Sequence, residues 1–193
     1  MSKRIAVIAV QVDTPAAEVA ALLTDTYRLA AERAGHDVRQ IIVDELEIPS
    51  LRTLADWDSE PLPDTVRAAQ DVILWADHLL LVHPLHHGAM PTSLHDFVEQ
   101  VFRPAFALDM SRRAKLDRPA RSARLVVTTD MPTLIYRTLM WAQGLRGWLQ
   151  PLLKLVGITP VRTTLIDGSS GVDSSPVQRK WLPLMSLYGA QGN

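Results

Sequence analysis

The chain contains no cysteine. That excludes disulfides, thiolate metal sites and a thiol nucleophile. It is compatible with a reducing compartment, and a cytoplasmic setting is the expectation. An excess of one charge is also missing. Lys and Arg number 20 against 21 Asp and Glu, for a formal net charge of -1. A dedicated nucleic-acid binder is usually basic, so no nucleic-acid partner is expected. The chain lacks the roughly 20 unbroken apolar residues that cross a bilayer. Its richest apolar stretch, "LIYRTLMWAQGLRGWLQPLLKLVG", is interrupted by Arg137, Arg146, Pro151 and Lys154. The opening "MSKRIAVIAVQVD" is basic and then apolar, in the manner of a signal peptide. Its apolar run is short, is broken by Gln11 and Asp13, and no small-residue cleavage site follows it, so a first strand is the better reading. No GxGxxG, GxxxxGK or GxSxG occurs. The Rossmann fingerprint, the P-loop and the serine-hydrolase elbow are thereby absent.

What is present is an ordinary globular composition. The 193 residues are 47% hydrophobic and 21% charged, enough for one full-sized core, and a single domain over 1–193 is expected. "RIAVIAVQV" (Arg4–Val12) reads as a buried strand, being short, β-branched and uncharged after its first residue. From Pro15 to Ala34, Val19, Leu22, Leu23, Tyr27 and Ala30 recur at helical spacing between charged residues. "DVRQIIVDEL" is a second strand, and Glu45–Pro63 an acidic, proline-punctuated loop. "DTVRAAQDVILWAD" opens on an aspartate suited to an N-cap. "HLLLVHP" is apolar enough for the middle of a sheet. "PTSLHDFVEQVFRPAFAL" is a helix with proline near its first turn, ending near Arg103–Pro104. A basic connector, "SRRAKLDRPARSA", leads to the strand "RLVVTT". Leu134–Val156 is helical and broken or kinked at Pro151. "PVRTTLIDG" is a fifth strand and "SPVQRKWLPLMSLYG" a last helix.

Strands alternating with helices imply a parallel sheet covered on both faces. Ligands of such sheets bind at the carboxyl ends of the strands, near the reversal of strand order. Three loops become candidates: Gln11–Ala17, Pro84–Met90 and Asp130–Thr133. The middle one holds a dense group of histidines. Five of the chain's six lie between His78 and His95, so this loop is the first place to look for chemistry. His86 and His87 titrate near neutrality, around pH ~6.5, and can serve as acid or base. A zinc site from His83, His86 and His87 is not expected. Adjacent loop histidines rarely face one ion without strain, and "HxxHH" is not HExxH. His83, ending a buried strand, reads as a hydrogen-bonded histidine at the edge of the core. Tyr136 can donate to a substrate carbonyl or pack in a helix, and Asp130 can cap a helix or meet a ligand. Trp141 and Trp148 lie on an apolar face suited to core, dimer interface or substrate wall. The run Arg112, Arg113, Lys115, Arg118, Arg121 and Arg124 reads as a solvated connector.

Between Ile73 and Asp109 the chain resembles the flavin-contacting segment of the NAD(P)H:quinone oxidoreductase family, of the flavodoxin-like, DT-diaphorase type. Members typically show an A-D strand, then P-L-W-W, a small residue, a proline, L-K and D-x-V-F. "WAD", Pro84, Leu85, Pro91, Leu94, Val101 and Phe102 stand in the matching places. "VVTTDMPTLIYR" resembles the family's loop after strand four, and "LVGITPVR" its entry into the last strand. The resemblance runs nearly the length of the chain. It implies a flavodoxin-like three-layer α/β sandwich with a five-stranded parallel sheet. It further implies a homodimer that holds FMN or FAD and passes a hydride from NAD(P)H to a quinone or similar flat acceptor. The backbone of Pro84, Leu85 and Gly88 would line the flavin ring. Thr129, Asp130 and Met131 would lie at its pyrimidine end, and Thr14 near its phosphate.

The same alignment exposes departures. Asp13, Glu18 and Ala20 stand where the family has a histidine, a serine and an asparagine around the phosphate. His86 and His87 replace two aromatic residues beside the flavin, and His95 a lysine. A phosphate needs backbone N–H groups, hydroxyls and a helix start, and carboxylates repel it. A second reading follows: a flavin-free relative whose pocket performs proton chemistry (isomerisation, dehydration or cyclisation) on a small molecule with His86, His87 and Tyr136. A third is a regulatory subunit that docks through Leu134–Val156.

Overall fold

The segment "HLLLVHPL" is buried at all eight positions, which requires cover on both faces. The computed structural model of the chain supplies it. The structure describes residues 2–11, 14–51, 53, 61–85, 89–115, 121–130 and 149–193. In chain order the elements are β1 (Arg4–Ala9), α1 (Pro15–Arg33), β2 (Asp37–Ile42), a 3₁₀ turn (Val43–Glu45), α2 (Asp64–Trp75), β3 (His78–Leu85), α3 (Thr92–Val101), α4 (Pro104–Lys115), β4 (Arg121–Thr129), α5 (Leu149–Leu155), β5 (Ile158–Asp167), a π turn (Val177–Trp181) and α6 (Leu182–Gln191).

The five strands form one sheet in the order β2-β1-β3-β4-β5. Every pair is parallel. Ile5 is in register with His78, and Leu85 at the other end of β3 with Thr129. The two-residue period of the strands sorts the core into two layers. Ile5, Val7, Leu80, Val82, Val126 and Ile166 join one apolar cluster with Val19, Leu23, Tyr27 and Met185 of α1 and α6. Ile8, Leu79, Leu81, Leu85, Leu125 and Val127 join the other, with Ile73, Leu94, Phe97 and Leu153 of α2, α3 and α5. This is the flavodoxin-like α/β architecture expected from the sequence.

Several local expectations change. β1 stops at Ala9 and β2 at Ile42, short of Val12 and Leu46, because the chain turns into the carboxyl-edge loops. Asp64 is the first helical residue of α2 rather than its cap; Pro63 precedes it and no side chain caps the helix. Pro104 opens a new helix, α4, which takes in the first residues of the expected basic connector. Of the expected Leu134–Val156 helix, residues 134–148 lie outside the described residues, and Leu149–Leu155, which includes Pro151, is helical. In α4 proline sits in the first turn, where its missing N–H costs little.

Arg121 and Arg124 belong to β4 rather than to a solvated connector. Arg124 is buried. Its guanidinium stacks 3.6 Å from the centroid of Tyr188 and donates to the carbonyl of Asn193 at 3.0 Å and to Thr164 Oγ1 at 3.3 Å. A ring and two oxygens thus replace water around the cation. His78 lies at the same amino edge of the sheet, with Nδ1 2.8 Å from Ser122 Oγ. Burial, with Lys3, Arg124 and Arg162 adding repulsion, pushes its pKa down to about 3. Burial also pushes the Tyr27 hydroxyl up. Among the described residues no helix is long and apolar enough to cross a membrane.

α6 lies directly on α1. A Cβ added at Gly189 would stand 2.3 Å from the carbonyl oxygen of Tyr27 and 3.1 Å from Ala30 Cβ. Gly189→Ala forces the helices apart, and an overpacked contact costs about 1–3 kcal/mol. The expected outcome is a lower midpoint of urea unfolding with an unchanged denaturant slope.

Candidate functional site

The direction of sheet growth reverses at β1, whose two neighbours are β2 and β3. The carboxyl edge beside such a reversal is where parallel α/β sheets take ligands. The core beneath this edge is apolar. Val10, Leu85, Leu94 and Phe97 belong to one buried cluster, and Met90 packs against it. Val10 N–H donates to Val82 O at 3.1 Å, so β1 stays tied to β3 one residue past its end.

The turn into α1 is held from several sides. Gln11 N–H donates to Asp44 Oδ2 at 2.6 Å, and Ser93 Oγ donates to Asp44 Oδ1 at 2.8 Å. One carboxylate thus joins the turn after β1 to the start of α3. Ser50 Oγ donates to Asp96 at 2.7 Å, and Gln100 Nε2 to Pro49 O at 2.7 Å, so the connection leaving β2 is also fastened along α3. Thr14 caps α1 from an extended conformation (φ -148, ψ 155), and Pro15 follows in the first turn. The Thr14 hydroxyl accepts from Ala17 N–H at 3.2 Å. Its carbonyl accepts from Ala17 and Glu18 N–H at 2.9 and 3.1 Å.

From the opposite side, Thr128 Oγ1 donates to Ala16 O at 2.6 Å. Gly168 N–H donates to Thr129 O at 2.8 Å. A Cβ on Gly168 would lie 2.9 Å from Ala16 Cα, so the backbone leaving β5 touches the first turn of α1 at a distance only glycine permits. Asp130 stands half-buried directly after β4. Asp167 ends β5 and accepts from Ser169 N–H at 3.0 Å.

The structure therefore brings Thr14, Pro84, Leu85, Thr129 and Asp130 to one edge of the sheet. Pro84 and Leu85 are in register with Thr128 and Thr129, and Leu85 and Thr129 are almost wholly buried. These last two offer backbone and an apolar floor rather than side-chain hydrogen bonds to a ligand. His86, His87, Gly88, Met131 and Tyr136 lie outside the described residues, as do Trp141 and Trp148.

His83 lies near the end of β3 and is fully buried. Nδ1 donates to Pro84 O at 3.0 Å, since a carbonyl can only accept. Nε2 finds no partner among the described residues. Burial pushes its pKa down to about 4, against a smaller opposing effect of the Pro84 carbonyl. His83 is thus a neutral histidine at the core edge.

Thr128, Gly168 and Asp44 escaped the sequence reading. Only Thr128 carried a signal, since a threonine at the end of an otherwise apolar strand needs a hydrogen-bond partner. Sequence reasoning about metals looked at the histidine loop. The structure instead brings ligand atoms of His95, Asp96 and Glu99 within 4.8 Å of one another on α3. His95 Nδ1 lies 3.7 Å from Glu99, while Asp96 is engaged by Ser50.

Two measurements check this geometry. Thr128→Val leaves Ala16 O without its buried donor and should cost about 1–3 kcal/mol in chemical denaturation. The second is the pH dependence of stability. His83 and His78 have folded pKa values below the unfolded value of about 6.5, so the unfolded chain binds more protons. Their stabilising effect is complete above pH ~6.5 and is lost as pH falls toward the folded values. Each contributes on the order of 1.4 kcal/mol per pH unit in that window. Stability should decline from pH 7 to pH 4, and His83→Gln should show a shallower decline than the parent.

Comparison with known proteins agrees with this architecture. Residues 3–180 match the model of a family described as having a flavodoxin-like fold. No curated relative matches the chain. Among solved structures, an NAD(P)H:quinone oxidoreductase from Methanothermobacter marburgensis superposes with a TM-score of 0.79 at 15% identity, covering 100% of this chain and 97% of its own. An FMN-dependent NADH-azoreductase from Bacillus anthracis, solved with FMN, gives 0.66 at 14% identity, with 99% of each chain covered. An NADPH-quinone reductase from P. pentosaceus gives 0.63 at 12% identity, with 98% of each covered. At these identities the likeness is one of fold.

Proposed function

Because the chain belongs to the family with the flavodoxin-like fold, we propose that it is a flavin-type oxidoreductase that passes electrons from NAD(P)H to a quinone or similar flat acceptor. The observation that carries this reading is the reversal of strand order at β1, where the carboxyl ends of β1 and β3 lie over an apolar core. Structural neighbours named as quinone reductases and as an FMN-dependent azoreductase support it.

A flavin supplies hydride acceptance and donation when bound. The described residues suit its ring. Pro84 and Leu85 at the end of β3, with Thr129 beside them at the end of β4, provide backbone and an apolar floor, and Asp130 adds a polar group. The arrangement excludes water from one face of a flat molecule and orients it by backbone contacts. In this proposal Gly88 and Met131 are also assigned to the flavin, as the family resemblance implies. His86, His87 and Tyr136 serve the acceptor by donating protons to its oxygen atoms. A homodimer would complete the site, with the Trp141–Trp148 segment as wall or interface.

A second reading, proton chemistry without flavin, draws support from the first turn of α1. Its Thr14 cap, Pro15 and Glu18 are a poor match for a phosphate. The deciding experiment is the visible absorption spectrum after incubation with excess FMN or FAD and removal of free ligand. The expected outcome is a retained flavin spectrum that bleaches on adding NADH or NADPH. A colourless protein with either flavin overturns the oxidoreductase reading in favour of the second. In the loaded enzyme, His86→Ala and His87→Ala should lower acceptor turnover severalfold with thermal stability nearly unchanged. Unchanged turnover in both would remove the histidines from the mechanism.

A further inference from the structure

In sequence, the connections leaving the carboxyl ends of the strands are short of cations. Each of the five strands ends in a connection that starts without one. No Lys or Arg occurs in residues 5–27, 40–51, 68–102, 125–136 or 163–178. These stretches contain the carboxyl-terminal half of every strand and the first residues beyond it. Carboxylates are plentiful there: Glu18 in the first turn of α1, Asp44 against Gln11 N–H, Asp130 after β4 and Asp167 at the end of β5. Asp13 adds another charge to the same connection in sequence. The cations that the structure gathers around the strands, Lys3, Arg124 and Arg162, act together on His78 at the opposite edge.

The backbone tells the same story. A helix start attracts phosphate through free N–H groups. In α1, Pro15 has no N–H. Ala17 N–H is taken by the Thr14 hydroxyl and carbonyl, and Glu18 N–H by the Thr14 carbonyl. Gln11 N–H, on the approach, is taken by a carboxylate. Ala16 is pinned from β4 and β5 by Thr128 and Gly168, so this turn is not spare loop that rearranges at little cost.

We infer that the site recognises its flavin by the ring and the uncharged part of its tail and does not read the terminal phosphate, so that riboflavin binds at least as well as FMN. The inference rests on the oxidoreductase reading above and narrows it. It also sets the direction of the salt dependence. A site that attracts phosphate weakens as salt rises; here salt screens repulsion from the carboxylates, and FMN binding tightens.

The test is a titration of the purified full chain with riboflavin and with FMN, followed by flavin fluorescence, at low and at high ionic strength. The expected result at low salt is an FMN Kd equal to or larger than that of riboflavin. High salt should lower the FMN value and leave the riboflavin value in place. Glu18 is exposed on α1, so Glu18→Gln should keep the fold. It should tighten FMN at low salt, up to a few fold, with no effect on riboflavin. An FMN Kd smaller than that of riboflavin, weakening with salt, overturns the inference and leaves the oxidoreductase reading standing. Failure of both flavins to bind overturns that reading and the inference with it.

Discussion

The structure depends on the complete burial of β3. A parallel strand with no exposed position must be flanked by strands on both edges and covered by helices on both faces. β1 and β4 take the edges. α1 covers one face with α6, and α2, α3 and α5 cover the other. Because every neighbour is parallel, each strand leaves the sheet at the same edge. The position of the candidate site follows from that packing. It lies at the carboxyl ends of β1 and β3, where the strand order reverses, over the end of the same apolar cluster that holds the sheet together.

The fold was legible in the sequence because hydrophobic runs of strand length alternate with stretches of helical period. Val19, Leu23 and Tyr27 mark the buried stripe of α1, and "HLLLVHP" marks the central strand. Element ends were less legible. Pro104 looked like a stop and proved to open a helix, since proline suits the first turn as well as the position after the last. Arg124 looked like a solvent residue. Its burial depends on Tyr188, Thr164 and Asn193, which are distant in sequence, and no local pattern announces such partners.

The candidate site was legible in part. The rule that places ligands at the carboxyl edge picked out the loops at 11–17, 84–90 and 130–133; the family resemblance named Thr14, Pro84, Leu85, Thr129 and Asp130, and the structure places these five at that edge. Neither rule nor resemblance could reveal how the edge is held. Asp44, Thr128 and Gly168 act through one bond or one close approach to backbone far along the chain. A single carboxylate, a threonine and a glycine carry no periodicity. The departures at Asp13 and Glu18, by contrast, were visible as sequence. Their meaning became physical only when the Ala17 and Glu18 N–H groups at the start of α1 were found already engaged by Thr14.

Asp44 has a mechanical consequence. Its two oxygens hold the turn after β1 and the first turn of α3, one on each. A rigid planar group of fixed span therefore bridges these two supports of the candidate site. The supports cannot separate by hinge motion without breaking one of these bonds. The spacing of the turn after β1 and the first turn of α3 is gauged by the width of a carboxylate, and this side of the protein behaves as a preset frame rather than as a closing jaw.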